Sequence, residues 1–411
     1  MTSITSIRQD AARRFAELGF PTTRDEDWRF TNVSSIARTQ FAPAPFLLDP
    51  LETAHFAERF YPNEGGPRLV FINGRYSPDL SSGQKLLRGI RATPLREASG
   101  VAEAHLARYA AYQDRAFVAL NTANFDDGAC IAIPEGTVVE EPIHLVFLAT
   151  GGEVPFNSNP RSLIVVGPNS QATVVESYIG RGAKYFTNAV TEIVAGDHSV
   201  VDHYKLQEED ERSSHVATLQ VEVGRDASFS THSISLGGGG FVRNDINAVL
   251  AEGSEATVNG LYLAASKQHI DNHTAIDHAK PHGTSHELYK GILGGTSTAV
   301  FNGKIIVHKD AQKTDAKQTN RNLVLSENAT IHTKPELQIH ANDVRCTHGA
   351  TIGQLDQEAI FYLQSRGIAK EQASNLLMHA FARDIIDRVK VAPLRVRLEQ
   401  ILLERLHALR N

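Results

Sequence analysis

The chain has only two cysteines in 411 residues, Cys130 and Cys346. A disulfide framework is therefore excluded, and a reducing compartment fits this composition. Long apolar runs are also absent, since no stretch approaches the roughly 20 residues that a membrane-spanning helix needs. The first residues, MTSITSIRQDAARR, lack the apolar core of a secretory signal. We therefore predict a cytoplasmic protein without a membrane partner.

A basic surface and the common nucleotide motifs are lacking as well. The formal net charge of -6 is opposite in sign to the footprint of nucleic-acid-binding proteins, so we expect no nucleic-acid partner. No GxxxxGK[ST] phosphate loop and no GxSxG nucleophile elbow occur. A pair of carboxylates that cleaves glycosidic bonds is not excluded, because a sequence does not show which side chains lie close together on neighbouring strands.

A repeat of short strands dominates the middle of the chain. Alternating or β-branched runs such as HLVFLA, ATVVESYIG and NAVTEIVAG predict strands from about residue 115 to 350. Turn glycines recur 28 to 30 residues apart, at Gly167, Gly196, Gly224, Gly253 and Gly283. A period of this length without intervening helices is typical of a solenoid, in which each repeat buries its apolar face against its neighbours. We predict a β-helix over residues 116–353, with two or three strands per turn; a β-sandwich is the alternative.

Helical patterns flank this region. Residues 1–115 form a partly helical N-terminal region that begins with a helix over residues 4–18, which Gly19 would end. Residues 354–411 form a C-terminal helical region, in which Asp356 can cap a first helix that ends at Gly367. The apolar positions predicted for the next two helices are Leu377, Phe381, Ile385, Val389, Leu394, Leu398, Leu402 and Leu409. These helices either cap the end of the solenoid or dock a partner.

A thiol and an imidazole stand two residues apart in the segment RCTHGA, where the strands give way to helices. Residues two apart on a strand share a face, so Cys346 and His348 could contact one metal ion, one sulfur species or one partner surface. Plain packing is the alternative, because a buried cysteine often behaves as a small apolar residue.

Histidines are also concentrated in the segment QHIDNHTAIDHAKPHGTSHE, residues 268–287. If residues 269–278 are one strand, His269, Asp271 and His273 share a face. That face is either a ladder of metal ligands or a polar wall, and a closed metal site would need ligands from more than one strand.

Three segments resemble the SufB/SufD family of iron-sulfur cluster assembly proteins. The longest is NLVLSENATIHTKPELQIHANDVRCTHGATIGQLDQEAIFYLQSRGI, residues 322–368, and the others are EDWRFTNV at 26–33 and HIDNHTAIDHAKPHGTSHELYKGIL at 269–293. The resemblance spans most of the chain. It implies a right-handed parallel β-helix core between N-terminal and C-terminal helical regions.

The resemblance also implies a function and partners. It implies a non-ATPase scaffold subunit of a cytoplasmic complex that pairs with SufB through the edge of the β-helix. The ATPase SufC would bind the C-terminal helices and supply ATP hydrolysis, and the complex would support de novo cluster formation and iron acquisition. No cofactor would be bound stably by this chain alone, although iron or a nascent cluster could pass through the SufB interface.

Carried over to this sequence, the resemblance places His348 at the SufB interface, with Cys346 at the matching family cysteine. A thiolate is a soft donor for iron, and an imidazole in the same ligand set makes a site more labile. The alternative is that both residues only order the interface. Cys130 has no family role and is expected to be packing. Two other functions stay open, a homodimeric structural β-helix protein and a β-helix carbohydrate-active enzyme.

Overall fold

A computed structural model describes residues 4–45, 60–61, 66–82, 89–98, 100–151, 154–182 and 184–408. Two facing sheets of mainly parallel strands wind into a β-helix of about eight turns. Within the β-helix, each turn gives one strand to either sheet, so strands that pair are two apart in the chain. The predicted β-helix is confirmed, with two strands per turn. The β-sandwich alternative is wrong, because its sheets would be largely antiparallel.

The strands are β1 (Ala42–Pro43), β2 (Arg68–Ile72), β3 (Arg75–Tyr76), β4 (Arg91–Pro94), β5 (Ala129–Ile133), β6 (Ile143–Thr150), β7 (Phe156–Ser158), β8 (Arg161–Val166), β9 (Gln171–Arg181), β10 (Tyr185–Ala195), β11 (Val200–Glu208), β12 (Ser214–Val223), β13 (Ser228–Ser235), β14 (Phe241–Leu250), β15 (Glu255–Ala264), β16 (His269–His278), β17 (Thr284–Leu293), β18 (Thr298–Val307), β19 (Asp315–Val324), β20 (Thr330–Ile339) and β21 (Arg345–Gly353). The first sheet has the order β20-β18-β16-β14-β12-β10-β8-β5-β4, and the second has the order β21-β19-β17-β15-β13-β11-β9-β6-β2-β3.

The helices are α1 (Ile4–Leu18), α2 (Ser34–Arg38), α3 (Val101–His105), α4 (Ala116–Asn124), α5 (Gln357–Ser365), α6 (Lys370–Ile386) and α7 (Ala392–Ala408), with short 3-10 segments at Glu26–Trp28 and Leu95–Glu97. No helix in these described ranges is both long enough and apolar enough to cross a membrane.

The core lies between the two sheets, where alternate side chains of each strand point inward. Equivalent positions on successive turns stack at the strand spacing of about 4.8 Å. The rings of Phe71, Phe147 and Tyr178 show this stacking, with centroids 5.2 and 4.8 Å apart. Each inward-facing side chain therefore contacts the side chains at the same position of the turns before and after it.

The five predicted turn glycines all lie at the corner where the chain leaves the first sheet for the second. At Gly196 an added Cβ would come within 2.7 Å of the backbone nitrogen of Pro168 on the preceding turn. Gly167 and Gly224 meet backbone atoms of the preceding turn in the same way. Three of the five glycines thus have a steric cause, and the turn length of about 28 to 30 residues that the repeat predicts is confirmed.

Residues 4–45 of the N-terminal region pack against the first sheet, whereas β2, β3 and β4 of the same region extend the two sheets. Helix α1 covers residues 4–18 as predicted and is followed by Gly19 in the left-handed region, at a φ of 66°. The segment after it lies on the outer face of the sheet, where the Arg243 guanidinium stacks over the Trp28 ring at 3.8 Å. The Thr31 hydroxyl donates a 2.6 Å hydrogen bond to Asp271 Oδ2. These contacts attach the start of the chain to strands β14 and β16.

The C-terminal helices cover the outer face of the second sheet and leave the end of the β-helix uncovered. Asp356 caps α5 as predicted, accepting hydrogen bonds from the backbone N–H groups of Glu358 and Ala359. The helices pack on outward-facing apolar side chains of the sheet, among them Tyr204, Leu206 and Leu261. Capping the end of the solenoid, one of the two predicted roles, is therefore wrong, because the helices bury the apolar outer face of the second sheet instead.

The predicted apolar stripe of α6 is partly wrong. Ile385 and Val389 are buried, but Leu377 and Phe381 are only half-buried, and Met378 is fully buried instead. Positions four apart turn by about 400°, so a stripe over twelve residues rotates by about 120° around the helix and leaves the sheet. In α7, Leu394, Leu398 and Leu402 are buried as predicted, whereas Leu409 lies outside the described residues.

Candidate functional site

The last turn of the β-helix has an open end. Strands β20 and β21 each pair on one side only, with β18 and β19, within the part of the chain that the structure describes. Their outer backbone N–H and C=O groups are thus free to pair with another strand. Apolar side chains are exposed at the same end, with Ile339 38% and Ile352 55% accessible. The open end of the β-helix, β20 and β21, therefore combines unpaired strand edges with a cross-section of the core.

Cys346 and His348 lie on β21 at this open end. In the parallel register Cys346 pairs with Ala316 and His348 pairs with Gln318 of β19. Ala316 and Gln318 are buried inward-facing residues, so Cys346 and His348 share the inward face of their strand. The two Cα atoms are about 7 Å apart at the ordinary rise of a strand. Cys346 is half-buried and His348 is exposed, so the imidazole is accessible from outside the molecule.

The Cys346 thiol is not activated by its surroundings. Burial raises its pKa; the hydrogen bond from the Ala316 backbone opposes that shift, and the charge of Asp315 adds to it. The thiolate is the form that binds metals and attacks sulfur. A cation or a partner group that reaches the open end would therefore have to displace the thiol proton.

Cys130 has a different environment. It is 3% accessible and packs in an apolar cluster with Leu95, Leu106 and Leu163. Burial raises the pKa of its thiol to about 11. These properties agree with the packing role expected of Cys130.

A buried acid lies two strands behind His348. Gln318 Nε2 donates a 2.7 Å hydrogen bond to Glu287 Oε2 on β17, and the two residues are 2% and 3% accessible. Burial raises the pKa of Glu287 to about 7, although hydrogen bonds from Thr274 and Gln318 act in the opposite direction. The column Glu287, Gln318, His348 thus runs from the core to the open end.

The sequence analysis missed Glu287 and Gln318. The signal was alternation: Ser285 and Tyr289 are inward-facing on β17, so Glu287 between them must face inward too. A charged residue at a core position is rare unless it is paired, and it marks a site for closer inspection.

A second set of ionisable groups, the interior polar cluster, lies deeper in the β-helix, and comprises Glu176, His203, Lys205, Glu209 and His215. His215 Nδ1 is 2.8 Å from Glu209 Oε2, and His203 Nε2 is 3.5 Å from Glu176 Oε2. Burial lowers the pKa of Lys205 to about 8, against the effect of the Glu209 and Glu176 carboxylates. Five strand spacings, about 24 Å, separate β11 from β21, so this cluster does not contact the open end.

The histidine-rich segment does not converge on a metal site. Residues 269–278 form one strand, as predicted, but Asp271 pairs with Arg243 at 2.7 Å and with His273 at 3.1 Å. Burial alone would raise the pKa of Asp271, yet the Arg243 guanidinium and His273 outweigh it and hold the pKa well below its ordinary value. His269 contacts the Thr31 hydroxyl at 3.0 Å. In the described ranges no group of three or more His, Cys, Asp or Glu side chains could hold a metal ion. The segment instead anchors the N-terminal region.

A cleft of about 420 Å³ lies beside the open end, between the N-terminal segment and the outer face of the first sheet. The Phe30 ring stacks on His332 with centroids 4.1 Å apart, and Lys334 Nζ lies 2.8 Å from Glu26 Oε1. The N-terminal segment therefore reaches the terminal strand β20 and forms part of the surface around the open end.

The C-terminal helices are joined to the second sheet by ion pairs and keep apolar side chains exposed. Lys390 Nζ lies 2.9 Å from both carboxylate oxygens of Asp202, and Arg397 lies 3.0 Å from Glu208. The exposed apolar side chains of these helices are Phe361, Tyr362, Leu376, Val396 and Leu403. Such side chains are available to a partner, and partner docking by this region stays a prediction.

Comparisons with known proteins agree with these features. Residues 147–381 match the domain described as "SUF system FeS cluster assembly, SufBD core domain", and residues 1–145 match "SufBD protein N-terminal region". An iron-sulfur cluster assembly SufBD family protein of Synechocystis sp. is 37% identical, over 97% of this chain and 90% of its own length. The chain therefore belongs to the SufBD family of the SUF system of iron-sulfur cluster assembly.

Two relatives carry a more specific name. The iron-sulfur cluster assembly protein SufD of Escherichia coli is 30% identical, over 93% of this chain and 88% of its own length. The protein of the same name from Bacillus subtilis is 24% identical, over 97% of this chain and 93% of its own length. The likeness to both extends from the N-terminal region to the C-terminal helices.

Proposed function

We propose that this chain is the SufD-type scaffold subunit of a SufBCD complex, which pairs with SufB and binds the ATPase SufC. In this role it supports de novo cluster formation and iron acquisition in the cytoplasm, and it hydrolyses no ATP itself. The observation that carries the proposal is the open end of the β-helix, which presents Cys346 and His348 between two unpaired strand edges. The likeness to proteins named SufD supports it.

Pairing with SufB would complete the last turn. Strands β20 and β21 are ten and nine residues long, so each offers a full row of backbone groups to an added strand. Strand addition gives affinity through main-chain hydrogen bonds, and apolar contacts then bury the exposed core residues Ile339 and Ile352. Both effects favour a partner whose own sheets continue those of this chain.

The cargo at this interface would be iron, sulfur or a nascent cluster. Cys346 and His348 supply one thiol and one imidazole, and a cluster or a tetrahedral iron site needs more ligands than these two. The partner must supply the remaining ligands, so cargo binds only at the assembled interface and this chain alone holds no cofactor stably. An imidazole among thiolates favours release, which a scaffold requires.

The C-terminal helices would bind SufC. Ion pairs from Lys390 and Arg397 fix α7 and its preceding loop to β11, which lies in the same sheet as β21. A displacement of the helices is thus transmitted to the second sheet. Nucleotide-driven approach of two SufC subunits would move these helices and open the SufB interface near Cys346 and His348.

The test is to tag the chain, purify it anaerobically from its own host, and identify stoichiometric partners by mass spectrometry. We expect a SufB-like protein and an ATPase in the wild type and in the His348→Ala variant. Cluster content, measured from visible absorbance and iron and sulfide analysis, should fall several-fold in His348→Ala and Cys346→Ala. The matched control is His286→Ala, which replaces an exposed histidine of β17 and should change neither quantity.

Other outcomes would refute the proposal. Recovery of the chain only as a pair of identical copies would favour the homodimeric structural protein, because the same edge can pair with itself. Glycan cleavage by the isolated chain would favour the carbohydrate-active enzyme. Full cluster content in both site variants would remove Cys346 and His348 from the mechanism.

A further inference from the structure

We infer that Gln318, oriented by Glu287, holds the His348 imidazole in the tautomer that presents an unprotonated ring nitrogen at the open end. Gln318 and Glu287 are thus positioning residues for the thiol and imidazole pair. The inference rests on the proposed function for its biological meaning, but it concerns only contacts within this chain.

The first step is the register. Glu287, Gln318 and His348 occupy the same inward-facing position on the consecutive neighbouring strands β17, β19 and β21. Side chains at paired positions of parallel strands stack about 4.8 Å apart. The Gln318 side chain therefore lies between the positions of the other two, with its carboxamide hydrogen-bonded to Glu287 on one side and strand β21, which carries His348, on the other.

The second step is the orientation of the Gln318 carboxamide. Its Nε2 donates to Glu287 Oε2 at 2.7 Å, so its Oε1 is turned away from that carboxylate. Gln318 Oε1 is buried and has no hydrogen-bond partner among the described residues. A buried acceptor left unpaired costs about 1–3 kcal/mol. His348 occupies the paired position on the next strand and makes no hydrogen bond to this oxygen in the structure; its ring N–H becomes the donor when the imidazole turns inward.

The third step is the set of groups that face this column. Besides His348, the ionisable side chains on the inward face of β17, β19 and β21 are Glu287, Tyr289 and Cys346, while Lys317 and Asp315 point outward. Two buried hydroxyls nearby, those of Thr333 and Tyr289, also lack a partner in the described part of the chain. Of these, Thr333 faces inward from the opposite terminal strand, so it is the competing donor that a control variant must remove.

The fourth step is chemical. A neutral imidazole has one N–H donor and one acceptor nitrogen. When one nitrogen donates to Gln318 Oε1, the other carries the free lone pair, and it is directed away from the core. Histidines that bind metals generally donate their second ring N–H to a carboxylate or carbonyl oxygen, which fixes the tautomer. Here a carboxamide, itself fixed by a carboxylate, takes that place.

The test measures the tautomer directly. The full chain is labelled with ¹⁵N-histidine, and two-bond nitrogen–proton correlation spectra at pH 8 report which His348 nitrogen carries the proton, with His348→Asn for assignment. We expect one tautomer to dominate in the wild type. In Gln318→Leu the ratio of this dominant tautomer to the other should fall about fivefold. That change is equivalent to the loss of one ordinary hydrogen bond of about 1 kcal/mol.

Glu287→Gln is the isosteric second variant, for use even if the leucine substitution prevents folding. A glutamine at this position can donate to Gln318 Oε1, which reverses the carboxamide and removes the acceptor from His348. The tautomer ratio should therefore fall in this variant too. Gln338→Leu, an exposed glutamine of β20, and Thr333→Val should leave it unchanged. An unchanged ratio in Gln318→Leu or Glu287→Gln, or a fall of equal size in Thr333→Val, would overturn the inference.

Cluster content of the purified complexes separates this inference from the proposed function. Suppose that the tautomer shifts in Gln318→Leu and Glu287→Gln, while the cluster content of His348→Ala is unchanged. That result would preserve the positioning role and refute the proposed function. Loss of cluster in His348→Ala, together with an unshifted tautomer in both positioning variants, would refute only the inference.

Discussion

Replacing the buried acid Glu287 by glutamine should stabilise the protein in alkaline solution and leave its stability unchanged in mild acid. The substitution keeps the size of the side chain and its capacity for hydrogen bonds to Thr274 and Gln318. It removes the ability to ionise and adds an amide that can itself donate to Gln318. Glu287 is 3% accessible, so solvent does not screen its charge.

The magnitude follows from the pKa of Glu287. Its ordinary value is 4.5, and burial in the folded protein raises the pKa to about 7. Between these pH values the folded state binds more protons than the unfolded state, so the free energy of unfolding decreases as the pH rises. The decrease begins near pH 4.5 and is complete above pH 7, where it reaches about 3 kcal/mol. Glutamine has no such loss.

The assay is urea unfolding at pH 5 and pH 8.5, followed by Trp28 fluorescence and far-ultraviolet circular dichroism. The difference in unfolding free energy between Glu287→Gln and the wild type should be within about 1 kcal/mol at pH 5 and about 3 kcal/mol in favour of the variant at pH 8.5. Glu255→Gln, at an exposed glutamate of β15, should give the same difference at both pH values. If the Glu287→Gln difference is also independent of pH, the argument from burial is refuted.

Three further predictions concern the attachment of the two flanking regions. Lys390→Met leaves the Asp202 carboxylate, 6% accessible, without its cation; we expect a loss of about 1–2 kcal/mol and faster hydrogen exchange in α6 and α7, and unchanged exchange would contradict it. Met378→Ala opens a cavity between α6 and the second sheet, which should lower the unfolding free energy by about 3 kcal/mol in calorimetry or urea titration. Arg243→Met removes the cation from above the only tryptophan, Trp28, so its emission should change and stability should fall by about 3 kcal/mol or more; an unaltered spectrum would refute the stacking.

The parts of the fold that depend on neighbours in the sequence could be predicted. The helix ended by Gly19 and the Asp356 cap each satisfy a local backbone requirement that neighbouring residues show, and the turn glycines are visible in the sequence because they recur at a regular interval. The flank position of the C-terminal helices could not be read in this way. It depends on apolar side chains such as Tyr204 and Leu261, which lie more than 100 residues earlier in the chain.

The candidate site divides along the same line. Residues two apart on a strand must share a face, so the common face of Cys346 and His348 was predictable and is confirmed. The residues behind them were not, because Gln318 and Glu287 precede His348 by 30 and 61 positions. Their proximity follows from the lengths of the intervening turns, which fix the register of the strands. The role of the pair in cluster assembly came from the resemblance alone and stays a prediction.

The open end also has a thermodynamic consequence. Every interior turn of the β-helix is held by a turn above and a turn below, whereas β20 and β21 are held from one side among the residues that the structure describes. If a partner adds strands at this end, as proposed, the stability of the last turn depends on the concentration of that partner. In the isolated chain, β20 and β21 should be the first strands to exchange their amide protons. Saturation with the partner should slow exchange in these two strands more than in the interior turns. Under the proposed function, the last turn reaches the stability of the interior turns only when the partner is bound.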